Sequence, residues 1–274
     1  MGFLSATSQA VILARGLGTR MRRSDGTSLD EVQRSAAAAG QKGMIPVGRP
    51  FLEYVISALA DAGIRDVVLV VGPEPGPLRE HFTTVSPPVR TMMHFAVQAQ
   101  PRGTADALFA ARDAVRDAPF LMLNADNYYL PATLRAAVAI NGNGLVAFEA
   151  DTLVRESGID ADRVLRYALL DIDDQGMLRA IREKPDADDP LALATERWVS
   201  MNLWSFTPAI FEACERVHAS PRGEFELQDA VMIGMRDLGL AFAVVRDRAG
   251  VLDLSRRADI ASVKRRLAGI VPRP

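Results

Sequence analysis

Near its N-terminus the chain reads Val11-Ile12-Leu13-Ala14-Arg15-Gly16-Leu17-Gly18-Thr19-Arg20-Met21. An apolar run, read as a buried strand over Ala10–Ala14, passes straight into a turn with two glycines and a threonine–arginine pair. Glycines let backbone N–H groups approach anionic oxygens closely, and an arginine adds a bidentate charge. Alone, this turn is a weak signal. It lacks the third glycine of the dinucleotide fingerprint and does not have the spacing of a Walker loop.

Downstream, short apolar or β-branched runs alternate with helical patterns. Strands are predicted at 67–71, 94–97, 120–123 and 145–148, and helices at 51–62, 104–115 and 133–139. Such alternation predicts a mainly parallel sheet covered on both faces. After about residue 150 the pattern changes. A hairpin is predicted with strands 167–172 and 177–182 around Asp173-Asp174-Gln175-Gly176, followed by a strand at 198–206. A helix is predicted from near Pro208, further helices at 227–238 and 256–267, and strands at 241–245 and 251–254. No Pro/Ser-rich linker divides the halves. The expectation is one domain over 1–274: a nucleotide-binding core over about 9–150, an α+β elaboration over about 151–255 and a C-terminal helix over about 256–274. The polar, then alanine-rich segment 22–40 is expected to hold a short helix, with Ser28 as N-cap and Glu31 three residues on.

The 274 residues are 49% hydrophobic and 24% charged, with a formal net charge of −2. These are globular values and argue against a protein built to coat nucleic acid or an anionic membrane. One cysteine, Cys214, excludes an intrachain disulfide and a cysteine-rich metal centre, and reads as a small core residue. No apolar run reaches the ~20 residues that span a bilayer, and the first residues do not read as a secretory signal. A cytoplasmic location is expected. His81, His94 and His218 are scattered and read as structural.

Only three lysines, Lys42, Lys184 and Lys264, stand against 29 arginines. Lysine is a compact point charge suited to a single phosphate oxygen. Lys42 lies in Gln41-Lys42-Gly43-Met44-Ile45-Pro46-Val47 and Lys184 in Arg182-Glu183-Lys184-Pro185, whereas Lys264-Arg265-Arg266 reads as the solvated end of a helix.

Taken together, Leu-Ala-x-Gly-x-Gly-Thr-Arg from Leu13, Lys-x-x-x-Pro-Val-x-x-Pro from Lys42, Gln98 followed by Pro101-x-Gly103-Thr104-Ala105, Asn124-x-Asp126-Asn127 and Glu183-Lys184-Pro185 resemble the sugar-phosphate nucleotidyltransferase family over about residues 9–267. The resemblance implies a Rossmann-like three-layer α/β core with a mainly parallel mixed sheet and an inserted α+β sugar-binding region. It implies transfer of a nucleoside monophosphate from a nucleoside triphosphate to a sugar 1-phosphate, with Mg2+ as cofactor and release of pyrophosphate. Leu13, Ala14, Gly16, Gly18, Thr19 and Arg20 would then hold the nucleotide, with Arg20 on the leaving pyrophosphate and Lys42 on the phosphates. Gln98, Gly103 and Thr104 match positions around the base. Asp126 and Asp253 match the two metal ligands. Glu183, Tyr167 and Asn202 would face the sugar, and Lys184 its phosphate. A homo-oligomer is compatible with the family.

Two polyanions must be brought together in this reaction, so the site has to neutralise charge and align an oxygen with the α-phosphorus. A phosphate monoester is already ionised at neutral pH, so a direct displacement needs no general base. Blander readings stand beside these assignments. Asp126 suits a helix cap, Glu183-Lys184 an exposed hairpin pair, and Glu224, Glu226 and Asp229 a helix N-terminus as well as a sugar contact. The pattern departs from the family at Arg15, where Gly or Ala is usual, at Ala168 in place of a glycine, at Asn202-Leu203-Trp204 and in the longer 22–41 spacer, which suits a lid or an oligomer contact. These departures bear on substrate identity more than on reaction type. Gln98 leans towards a uridylyl or thymidylyl donor, with guanylyl and cytidylyl donors open beside it. The alternatives are a transferase acting on a cyclitol or other alcohol phosphate, and a catalytically silent relative that binds a nucleotide-sugar.

Overall fold

All five residues of β1 (Gln9–Leu13) are buried, because β1 lies at the centre of a sheet covered on both sides. The computed structural model describes residues 7–274 except Pro75, Leu165, Lys184 and Ala187. β1 pairs in parallel with β2 (Asp66–Val71) on one side and β4 (Phe120–Asn124) on the other. β3 (Met92–Val97) extends the parallel set beyond β2. Side chains alternate across the strand: Ala10 and Ile12 enter one core, Val11 and Leu13 the other. The first core holds Phe51, Val55 and Leu59 of the helix Phe51–Asp61. The second holds Phe211 and Cys214 of the helix Ile210–Glu215, and Leu227 and Val231 of the helix Leu227–Asp237. This is the three-layer arrangement expected from strands apolar on both faces.

A two-residue offset separates β5 (Asn127–Tyr129) from β4. β6 (Asn143–Glu149), the hairpin of β7 (Leu169–Ile172) and β8 (Leu178–Arg182), β9 (Trp198–Phe206), β10 (Phe242–Asp247) and β11 (Val251–Asp253) follow in chain order. β9 is antiparallel to both neighbours and wedges between β4 and β6, making the sheet mixed. The predicted elements recur with boundaries shifted by a few residues. β5 and the Pro77–Glu80 helical turn have no counterpart among the predictions. Three-residue β5 is too short to carry a periodic signal.

The helix at 22–40 runs over Glu31–Ala38, but its cap is Asp30 rather than Ser28: the Asp30 carboxylate accepts from Gln33 N at 2.8 Å. Asp30 and Gln33 repeat the capping-box spacing two residues after Ser28 and Glu31, so the local sequence carries the signal twice. No helix among the described residues is long and apolar enough to cross a membrane.

Asn202 departs from the strand geometry around it. Between Leu145↔Trp204 and Ala147↔Ser200 the β6–β9 register shifts, so β9 spends extra residues on a bulge. Asn202 sits there with φ 61°, the one non-glycine residue with positive φ among those described. Its N–H donates to Ser200 Oγ at 3.2 Å. Among non-glycine residues asparagine is one of the few that tolerate this left-handed conformation, which suits it to the bulge. Asn202→Val should therefore unfold about 1–2 kcal/mol more easily than Asn202→Gly in urea titrations, since a branched Cβ meets the carbonyl in that conformation.

Candidate active site

The C-terminal ends of β1, β2, β3 and β4 face one cavity of about 770 Å3. Its wall includes Leu13, Ala14, Gly16, Gly18, Thr19 and Arg20 from the glycine turn, Lys42, Gln98, Gly103 and Thr104, and Asp126. Residues far apart in sequence meet here because parallel strands all point the same way, and the loops that follow them collect at one edge.

The glycine turn is held from behind. Gly18 has φ 61°, and a Cβ there would come within 2.5 Å of the Gly40 carbonyl oxygen. The segment after the turn is thus packed against the end of the 31–38 helix, and Arg22 adds a bond from Nη2 to Ala39 O at 3.0 Å. Arg22, Ala39, Gly40 and Gln41 consequently form part of the cavity wall. A Cβ at Gly16, by contrast, would meet nothing within 4 Å. From the other side, buried Arg257 donates through Nε to Met21 O at 2.9 Å and through Nη2 to Arg22 O at 3.3 Å. Carbonyls at the end of the short helix Thr19–Arg22 are thereby capped by a cation.

The two candidate metal ligands are neighbours through β5 and β11. Asp253 pairs antiparallel with Asn127, and Leu254 N donates to Asp126 O at 2.8 Å. Two carboxylates held this close repel each other, and each is met by a cation. Lys42 Nζ lies 2.7 Å from Asp126 Oδ2. Burial works against the Lys42 charge, but the Asp126 carboxylate outweighs it and holds the ammonium above its ordinary value. Arg163 Nη2 is bonded to Asp253 Oδ2, and Nη1 of the same guanidinium lies 3.1 Å from Asp259 Oδ1. Tyr167 OH donates to Asp253 Oδ2 at 3.0 Å, and Ser255 Oγ to Oδ1 at 2.6 Å. Burial first, and the Asp126 charge second, push the Asp253 carboxyl above its ordinary value. Asp259 in turn accepts from the backbone N–H groups of Ser255 at 2.9 Å and Arg256 at 2.7 Å, which fixes the turn after β11.

The donors suit a hard divalent cation in chemistry. Among the described residues nothing bonds Asp126 Oδ1, and Asp253 Oδ1 carries one donor, which leaves it a lone pair. No group of three or more His, Cys, Asp or Glu gathers as a ligand cluster among the described residues. Asp126 lines the cavity, whereas Asp253 does not appear on its wall among the described residues.

At the far end of the cavity Gln98 follows β3, its N–H donating to Val71 O at 2.9 Å. Its side-chain Nε2 donates to Gly103 O at 3.1 Å and to Asp106 Oδ2 at 2.8 Å. Two acceptors on one nitrogen fix the amide orientation and leave Oε1 as an acceptor. Gly103 has φ 116°, and a Cβ there would lie 2.4 Å from Phe225 O. The missing side chain at 103 thus makes room for the Phe225 backbone. Thr104 Oγ1 accepts from Leu227 N at 2.9 Å, joining the starts of two helices.

On the candidate sugar side, Tyr167 is tied to Asp253, Asn202 occupies the bulge of β9, and Glu183 is exposed just after β8. Lys184 lies outside the described residues. Sequence reasoning did not find Arg163, Arg257, Ser255 or Asp259. Arg163 is one of many arginines in a polar stretch, and Arg257 reads as surface charge; nothing local announces that either is buried. His81, read as structural, is buried 2.7 Å from Glu53 Oε1, and Cys214 is a buried core residue.

Two outcomes follow for the ion pairs. Arg163→Met should lose about 3–5 kcal/mol in denaturant unfolding, because it strands buried Asp253 without its cation. For Lys42 the folded value lies above the ordinary 10.5, so its stabilisation is fully present below 10.5 and is lost as pH rises through the folded value. The difference in unfolding free energy between wild type and Lys42→Met should therefore stay constant from pH 7 to about 10 and shrink above that.

The family described as "Nucleotidyl transferase" matches residues 9–266. The chain is 31% identical over 260 residues to the UTP–glucose-1-phosphate uridylyltransferase AglF of Haloferax volcanii, covering 94% of this chain and 96% of that one. It is 25% identical over 250 residues to the UTP–glucose-1-phosphate uridylyltransferase of Bacillus subtilis, covering 81% and 78%. Against the bifunctional protein GlmU of Rhizobium etli it is 30% identical over 96% of this chain, which spans only 53% of that longer protein. Among solved structures, a UDP-glucose pyrophosphorylase in complex with UDP-glucose superposes with a TM-score of 0.70 at 15% identity, covering 95% of this chain and 98% of that one.

Proposed function

This chain belongs to the nucleotidyl transferase family, and from that premise we propose that it joins UTP to a hexose 1-phosphate, glucose 1-phosphate foremost, releasing pyrophosphate and forming a UDP-sugar. The observation that carries the base assignment is the orientation of Gln98. With Nε2 spent on Gly103 and Asp106, its Oε1 can only accept. Uracil, thymine and guanine present a ring N–H to such an acceptor; cytosine N3 and adenine N1 present a lone pair and leave both partners unsatisfied. Within that set, the names of the relatives from Haloferax volcanii and Bacillus subtilis favour UTP with glucose 1-phosphate.

In this reading the glycine turn and Arg20 hold the triphosphate, and Lys42 bridges from Asp126 towards it. The Lys42 ammonium stays charged at neutral pH and offsets anionic charge throughout the reaction. Asp126 and Asp253 would hold a magnesium ion, which would supply neutralisation of the triphosphate charge and fix its orientation. Arg163, Tyr167 and Ser255 position Asp253 from behind, as supporting groups orient a metal ligand. Arg257 keeps the chain after the glycine turn in place. The acceptor phosphate attacks the α-phosphorus as a dianion, so no side chain has to remove a proton.

Pyrophosphate release should require both substrates and magnesium, be fastest with UTP and glucose 1-phosphate, and fall by at least ~100-fold in Asp126→Asn. A grid of four nucleoside triphosphates against hexose 1-phosphates, read by a coupled pyrophosphate assay, checks this. Preference for CTP or ATP would sink the reading of Gln98.

A further inference from the structure

Arg15 stands directly before the glycine turn, and the structure shows where its side chain goes. At the edge of the sheet the strands run in the order β4, β1, β2, β3. Ala14 still bonds to β2 through its N–H to Val70 O at 3.0 Å. The Arg15 side chain then leans across the end of β2. A Cβ built on Gly72 would lie 2.8 Å from Arg15 Nε, 3.1 Å from Cδ and 3.2 Å from Cζ. The guanidinium therefore rests on Gly72, one strand from Gln98 and on the side of β1 away from Asp126. It points to the base end of the cavity, not the metal end.

Its bonding capacity is open. Arg15 lines the cavity together with Gln98 and Gly103. Its Nε is buried with no hydrogen-bond partner, and among the described residues no carboxylate pairs with it. A planar fork of donors that is half-buried and unpaired in a binding cavity is a recognition group awaiting an acceptor. Resting on the UTP reading above, we infer that Arg15 is a base-specificity residue: its guanidinium donates to the C4 carbonyl of uracil, the one that cytosine replaces with an amino group, while Gln98 Oε1 accepts from N3–H. Uracil carries a carbonyl on each side of N3–H, which matches one acceptor flanked by donors. Cytosine reverses the pattern twice, with a lone pair at N3 and an amino group beside it, so it is rejected at both residues.

Two variants separate this from its rivals. Arg15→Met keeps the length and removes the donors. Gly72→Ala keeps the charge but puts a Cβ where the guanidinium rests; φ at Gly72 lies outside the left-handed region, so alanine is allowed there. Equilibrium binding of UTP, CTP and inorganic tripolyphosphate to the full chain is the readout, with thermal melting as the check on folding. Both variants should bind UTP about ten- to a hundredfold more weakly, narrow the UTP:CTP ratio by a similar factor and leave tripolyphosphate binding within twofold. Equal loss of UTP and tripolyphosphate binding would make Arg15 a phosphate ligand and overturn the inference. Unchanged UTP binding would make it a bystander, and tighter UTP binding would make it a plug; either overturns it. If Arg15→Met fails to fold, Gly72→Ala alone decides by the same criteria. A wild-type protein with no preference for UTP over CTP would overturn the UTP reading itself, and this inference with it, whereas a wild-type preference that survives both variants removes only the role of Arg15.

Discussion

Asp126 and Asp253 sit beside each other because three-residue β11 pairs with three-residue β5. That juxtaposition is the constraint around which the rest of the site is built. Two carboxylates in a partly buried place cost free energy unless cations face them. The chain supplies one to each from a different direction: Lys42 from the segment after the 31–38 helix, and Arg163 from the elaboration after β6. The pair thereby binds three remote segments to one another. It also leaves lone pairs on Asp126 Oδ1 and Asp253 Oδ1, where a further cation can share the load.

The same economy recurs behind the glycine turn. One stretch, Asp253 to Asp259, contributes a carboxylate to the candidate metal site, a hydroxyl that orients it, the buried Arg257 that caps the carbonyls of Met21 and Arg22, and the Asp259 carboxylate that holds Arg163. Glycine turn and carboxylate pair are thus fixed to a common scaffold, so a displacement of either is felt by the other. Sites that must neutralise two polyanions benefit from such rigidity, since donors already in place need no reorganisation when charge moves.

At the other end of the cavity, the orientation of the polar groups is dictated by their neighbours. Gln98 is turned by Gly103 and Asp106, and Asp106 is itself held by Arg102 Nη2 at 2.5 Å. Arg15 rests on a glycine that has no side chain to displace it. The departures from the family pattern therefore differ in kind. Asn202 meets a backbone requirement of the β9 bulge, whereas Arg15 lies on the cavity wall.

By itself the sequence determined the layered α/β architecture, because apolar runs buried on both faces can only be strands inside a sandwiched sheet. It also singled out the glycine turn, Lys42, Gln98 and Asp126, which the fold gathers on one cavity wall, since each lies at the end of a strand or in a short motif whose residue types are unusual for plain structure. Only the tertiary structure decided that Arg163 and Arg257 are buried partners rather than surface charge, that Asp253 reaches Asp126 through β5 and that the Arg15 side chain rests on Gly72. The cap at Asp30, two residues beyond Ser28, was likewise settled by which carboxylate met a backbone N–H. Local sequence encodes period, turn and cap preferences; it does not encode which distant charge a side chain will meet, and that is fixed only when the sheet assembles and desolvates the pair.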